Sequence, residues 1–312
     1  MKFTNQLTQL LNIKYPIISA PMGTISGGVL ANAVSEAGGL GLIGVGYNDA
    51  NWLQSQFDLV GNNSIGVGFI TWQLMQKPEL LTLALRQNPI AIMLSFGDPR
   101  PFIDEIKASN TKLICQVQNV KDAKDCVQYG ADIIVAQGSE AGGHGASRGI
   151  FALIPAIVDA VSPIPVVAAG GIADGCGLVA AMALGAKAVL LGTRFYACSE
   201  SLGHSNAKEL IVNTDGDHTI RSNLLDIARE LAWPSPFTVR SLQNDFIRRW
   251  QHEDHLLNKI DVTVRKQYKH ACEIGDFSTA GVLAGEAIDL IRDVLPAKRI
   301  IERIMIEAES VF

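Results

Sequence analysis

Few residues in this chain have the type and spacing to do chemistry, and most of them follow short apolar runs. The run Ala136-Gln137-Gly138-Ser139-Glu140-Ala141-Gly142-Gly143-His144-Gly145 comes directly after Ala131-Asp132-Ile133-Ile134-Val135, which reads as a buried strand. Glycines at such a place let backbone amides approach a ligand closely, because no Cβ intervenes. His144 is the side chain of that loop suited to taking or giving a proton near neutral pH. The expectation is a catalytic base beside a bound cofactor. The plain alternative is a glycine-rich turn with an incidental histidine.

Two further runs end in glycine and feed helix starts: Val166-Val167-Ala168-Ala169-Gly170-Gly171 and Ala188-Val189-Leu190-Leu191-Gly192-Thr193. Backbone amides at helix N-termini form a nest with a positive dipole end, which suits a phosphate. The Thr193 hydroxyl adds a donor. The competing reading is a pair of tight turns. Gln116 and Gln137 stand at strand ends, where an amide offers both donor and acceptor to the edge of a heterocycle such as a flavin pyrimidine. Each could equally be a satisfied core group. Ala20, Pro21, Met22 and Gly23 follow the first apolar run, and Gly68 lies in the third.

The elements that must position these residues alternate regularly. Apolar runs at 17–20, 41–45, 65–70, 90–95, 113–117, 132–136, 165–169 and 187–191 are short, unbroken and rich in Ile, Val and Ala, as in parallel strands covered on both faces. Helical stretches separate most of them: 26–37, 78–87, 102–109, 120–129, 151–161 and 178–184. Eight strand–helix repeats predict a (β/α)8 barrel, with a doubly wound sheet as runner-up. Leu7, Leu10 and Leu11 suggest a lead-in helix. In a barrel, ligands bind at the C-terminal ends of the strands, where the residues above collect.

After Ser199 the rhythm changes. Residues 200–280 are expected to form a mainly helical lid, with helices near 223–231, 242–257 and 262–272 and a break at Trp233-Pro234-Ser235-Pro236. Residues 1–199 and 281–312 then make the barrel, with closing helices at 285–295 and 300–308. Three motifs are set aside. Gly39-Leu40-Gly41-Leu42-Ile43-Gly44 matches GxGxxG but runs from a helix into a strand, the reverse of a dinucleotide-binding context. His252-Glu253-Asp254-His255 is not HExxH and reads as a solvated lid helix, and Asp215-Gly216-Asp217-His218 reads as a turn, so no metal site is expected. Arg194 is left between touching a phosphate and pairing with an acid.

Composition bounds the rest. The 312 residues carry a net charge of −5, which gives no electrostatic reason to expect nucleic acid or an anionic membrane as partner. Five dispersed cysteines without a CxxC pair fit reduced thiols, and no apolar signal core follows Met1, so a cytoplasmic location is expected. No apolar run of about 20 residues is present to span a membrane.

Pro21-Met22-Gly23, Ser35-Glu36-Ala37-Gly38-Gly39-Leu40-Gly41, Gln137 to His144, Ala169-Gly170-Gly171-Ile172 and Leu191-Gly192-Thr193-Arg194-Phe195, with the 281–291 segment, together resemble the nitronate monooxygenase family. The likeness covers nearly the whole chain and is strongest over 15–46 and 131–196. It implies a (β/α)8 barrel with non-covalent FMN, acting on nitroalkanes or nitronates with O2 to give a carbonyl compound and nitrite. Carried over, Gln137, Gly142 and Gly143 would contact the flavin, with Gln116 beside them. Gly170, Gly171 and the segment from Leu190 through Leu191 and Gly192 to Thr193 would hold its phosphate. Ala20, Pro21, Met22 and Gly23 would lie along its ring, and His144 would be the base. A neutral imidazole can remove a carbon-bound proton that is already acidic, as one α to a nitro group is. A homodimer is one possible assembly. The sequence departs from the family at Gly68, where many members carry an asparagine that contacts FMN, and at Gly145, where many carry an arginine. Flavin-dependent enoyl-acyl-carrier-protein reductases and quinone reductases, both using NAD(P)H, resemble the same barrel. A non-catalytic flavin-binding barrel is the alternative from another class.

Overall fold

The computed structural model describes residues 3–251 and 260–311. The eight apolar runs form eight parallel strands: β1 Ile17–Ser19, β2 Leu42–Gly44, β3 Gly66–Ile70, β4 Ala91–Ser95, β5 Lys112–Val117, β6 Ile133–Gln137, β8 Val166–Ala169 and β9 Ala188–Leu191. A further short strand, β7 Gly143–Gly145, lies outside the barrel. The barrel strands pair in the order β1-β9-β8-β6-β5-β4-β3-β2. Closure comes from the set-aside glycine motif. Leu40 bridges Ile18 in parallel, and the Ser19 amide donates to the Leu40 carbonyl at 2.9 Å. The expected (β/α)8 architecture is therefore the observed one.

The period of two sorts the side chains. Ile18, Leu42, Met93, Ile114, Ile133, Val135, Val167 and Leu190 point into the barrel, where they meet Leu7 and Leu11. Their neighbours Ile17, Ile43, Val67, Ile92, Ile134 and Val189 point outward into the layer under the helices. The lead-in helix Gln6–Leu10 closes the N-terminal end of the barrel. Its cap Asn5 donates to the Lys187 carbonyl, just ahead of β9, at 2.8 Å. The C-terminal helix Ala297–Ser310 buries Ile300, Ile301, Ile304, Met305 and Ala308 against the helices Gly28–Glu36 and Gly175–Ala183.

The 200–280 excursion departs from the expected pattern. Helices Ser205–Asn213, Leu224–Ala228, Asp245–Trp250 and Val262–Ile274 are present, but so are strands β10 Thr219–Ser222 and β11 Thr238–Leu242. These join β7 in a three-stranded antiparallel sheet, β10-β11-β7. The helix expected from Leu242 begins instead at Asp245, capped by Asn244, because Leu242 ends β11. The expected helix over 285–295 is a short 3-10 turn, Glu286–Leu290. A helix Ala50–Phe57, started by the Asp49 cap, adds to the expected helices. The His252–His255 motif lies outside the described residues. Among the described residues no helix is long and apolar enough to cross a membrane.

Candidate active site

A cavity of about 550 Å³ opens at the C-terminal ends of the barrel strands. It is lined by Ala20, Pro21, Met22 and Gly23 after β1, Gly68 on β3, Gln116 on β5, Gln137 on β6, Gly142, Gly143 and His144 on the glycine loop, Gly170 and Gly171 after β8, and Gly192 and Thr193 after β9. Leu191 is the exception among the expected residues. Its side chain is buried in the outward layer and its carbonyl accepts from the Ala20 amide, while the inward-pointing Leu190 lines the cavity.

The two glycine-ended strands build the expected nest. The amides of Gly171, Gly192 and Thr193 have no protein acceptor among the described residues. Gly171 adopts φ +65°, and a Cβ there would come within 3.1 Å of the Glu140 Cβ. The Thr193 hydroxyl accepts from the Gly285 amide at 2.9 Å, leaving its own proton to donate. Unpaired amides around a glycine-floored hollow fit a phosphate. Arg194 is not part of this nest. It is buried and donates to the Asp293 carboxylate at 3.1 Å, the Asp293 carbonyl at 2.6 Å and the Ala197 carbonyl at 2.7 Å. Its question is thus settled in favour of pairing with an acid.

The glutamines divide. Gln137 Oε1 accepts from Gln118 at 2.8 Å and Gln116 at 3.1 Å, and its Nε2 donates to the His144 carbonyl at 3.0 Å. Gln137 therefore ties the end of β6 to the backbone of His144. Gln116 keeps its Oε1 without a protein donor among the described residues. At Gly68 a Cβ would lie 2.3 Å from the Pro21 ring, so the Pro21 ring takes the space that a larger residue would use.

The excursion supplies most of the groups packed around His144. Strand β7 pairs it with Val239 of β11. The β10–β11 ribbon carries between its strands the segment that folds back over the imidazole. From this segment Asp226 places both carboxylate oxygens on His144 Nε2, at 2.9 and 3.0 Å. Trp233 stacks on the ring, with centroids 3.3 Å apart and planes 8° from parallel. Phe96 meets the imidazole edge-on. Trp233 is fixed in turn by an indole N–H bond to the Tyr47 hydroxyl at 2.7 Å. No hydrogen bond reaches His144 Nδ1 among the described residues. Burial lowers the pKa of His144 below the ordinary histidine value, against the Asp226 carboxylate, which pulls it up, so the ring is neutral at neutral pH. Asp226, Trp233, Gln118 and Tyr47 were not singled out from the sequence. Only the Trp233-Pro234-Ser235-Pro236 break gave any signal, and it named no partner.

The nitronate monooxygenase family model matches residues 4–62 and 70–307, the gap falling on the segment that holds Gly68. A nitronate monooxygenase of Neurospora crassa is 32% identical, over 94% of this chain and 89% of its own length. FabK of Thermotoga maritima superposes with a TM-score of 0.88 at 32% identity, covering 99% of this chain and 97% of that one. A nitroalkane oxidase of Streptomyces ansochromogenes superposes with a TM-score of 0.81 at 26% identity, covering 98% of both chains.

Proposed function

The chain belongs to the nitronate monooxygenase family and is a flavin-dependent oxidoreductase, and from that premise we propose that it oxidises alkyl nitronates and nitroalkanes with O2 to a carbonyl compound and nitrite, using FMN. The observation that carries the reading is the buried His144–Asp226 pair at the mouth of a cavity floored by unpaired amides.

A carboxylate only accepts, so Nε2 of the neutral imidazole donates to Asp226 and the lone pair sits on Nδ1. In this proposal Nδ1 takes the proton α to the nitro group, and Asp226 stabilises the imidazolium that forms. The amides of Gly171, Gly192 and Thr193 would hold the FMN phosphate, and Gln116 Oε1 would meet the edge of its ring. When bound, FMN supplies the electron acceptor, with O2 as the terminal oxidant. Trp233 and Phe96 exclude water from the imidazole, which keeps it neutral and basic only toward an acidic C–H.

Likeness to FabK supports a second reading, a flavin-dependent NAD(P)H-using reductase of the enoyl-acyl-carrier-protein or quinone type. One experiment separates them: anaerobic mixing of the holoenzyme with a nitronate, a neutral nitroalkane or NADPH, following the flavin absorbance. Rapid bleaching by nitronate but not by NADPH is expected, and the reverse pattern overturns the proposal. His144→Ala should abolish reduction by the neutral nitroalkane and spare the preformed nitronate.

A further inference from the structure

The cavity is lined by neutral side chains with one exception. Arg229 is the only Asp, Glu, Lys or Arg among its described lining residues. It comes from the same excursion that brings Asp226 and Trp233, one residue past the helix Leu224–Ala228. Its guanidinium lies over the Tyr47 ring, 5.5 Å from the centroid. Tyr47 is the residue that holds Trp233 against His144, so Arg229 belongs to the His144 end of the cavity and not to the amide nest.

The nearest carboxylate on its own helix cannot serve it fully. Both oxygens of Asp226 are engaged by His144 Nε2. Among the described residues the Arg229 guanidinium makes no hydrogen bond or ion pair, while its backbone amide donates to the Leu225 carbonyl. The other arginines near the glycine loop are engaged structurally: Arg148 donates to the Ala152 carbonyl at 3.1 Å. Arg221 donates to the carbonyls of Ser139, Ala141 and Thr238, and Arg240 pairs with Glu286 at 2.8 Å. A guanidinium that is half-buried, unpaired and seated on an aromatic face is a fork of donors without an acceptor.

Resting on the reading above, we propose that Arg229 is the residue that binds the negative charge of the substrate, and that the cavity selects small organic anions at its His144 end. The anion is a nitronate or a carboxylate. Its oxygens take the guanidinium donors while its reacting carbon faces the imidazole. Gly145 follows the histidine, and the excursion supplies the cation to the same mouth from a distant part of the chain.

The test uses calorimetric titration of the holoenzyme with propionate, with propionamide as its neutral counterpart, and with inorganic pyrophosphate. In Arg229→Gln, propionate affinity should fall about 10- to 100-fold, the range expected for a lost charged hydrogen bond. Arg229→Lys should recover part of it, and propionamide binding should not change. In turnover, KM for a nitronate should rise by a similar factor with kcat little altered. Unchanged propionate binding in Arg229→Gln, with its near-ultraviolet circular dichroism preserved, overturns the proposal. So does loss of pyrophosphate binding alone, which would assign Arg229 to the phosphates of a nicotinamide cofactor. If nitronates prove not to be substrates, the proposed reaction fails, while the propionate titration still decides the role of Arg229.

Discussion

Replacing Asp226 with asparagine isolates the contribution of the carboxylate from that of its shape. The side chain stays nearly isosteric and can still accept from Nε2, but it no longer carries the charge that offsets an imidazolium. The two side chains are only 8% and 5% exposed and the contacts are 2.9 and 3.0 Å, so little water screens the pair. A hydrogen bond to a charged partner contributes about 1.5–3 kcal/mol. If that much is realised only as the proton arrives, deprotonation should slow about 10- to 100-fold. The assay is stopped-flow reduction of the flavin by a neutral nitroalkane under anaerobic conditions across pH 5–9, with a preformed nitronate as control. In the wild type the acid limb of the rate should lie below the ordinary histidine pKa of about 6.5, because burial depresses His144 more than Asp226 raises it. Asp226→Asn removes the raising influence, so the limb should move to still lower pH while the plateau drops. Equal slowing with nitronate and nitroalkane would refute the reasoning, as would an unchanged plateau or a limb that moves upward.

Two other substitutions probe the cofactor end. Gly171→Ala forces a Cβ into the left-handed region at φ +65° and toward Glu140, costing about 1–2 kcal/mol, and should lower the flavin-to-protein ratio after purification; full flavin content would argue against the amide nest as the phosphate site. Gly68→Asn drives a Cβ to 2.3 Å from Pro21 and should destabilise the fold by about 1–3 kcal/mol. A urea midpoint equal to that of the wild type would show that the Pro21 loop yields freely.

Much of the barrel was legible because its signals are local. An apolar run beside a helical stretch, a glycine at a run's end and the histidine of the glycine loop are each read from a few consecutive residues. They placed the strands, the nest and His144 without reference to any distant contact. The run Ala188-Val189-Leu190-Leu191 shows the limit. It is apolar on both faces, so nothing in it says which leucine points inward. Parallel pairing of β9 with β1, in the register that sets Leu190 beside Ile18, fixes the parity, placing Leu190 in the cavity and Leu191 under the helices. Gln137 likewise had the right position, but its amide is taken up by Gln116, Gln118 and the His144 carbonyl, an arrangement that requires neighbouring strand ends side by side.

The surroundings of His144 lie at the other extreme. Asp226, Arg229 and Trp233 come from a segment some 80 residues further along the chain, with Asp226 separated from His144 by 82 positions. No periodicity links them. They meet the histidine because β11 pairs with β7 in the register that sets Val239 opposite His144, and that pairing exists only once the excursion has folded back across the barrel mouth. The sequence by itself determined that a histidine stands beside a phosphate-type nest at the end of a barrel. Tertiary structure decided which imidazole nitrogen meets a carboxylate, which carboxylate that is and which cation lines the cavity, because each of these is fixed by contacts between segments that local patterning does not couple.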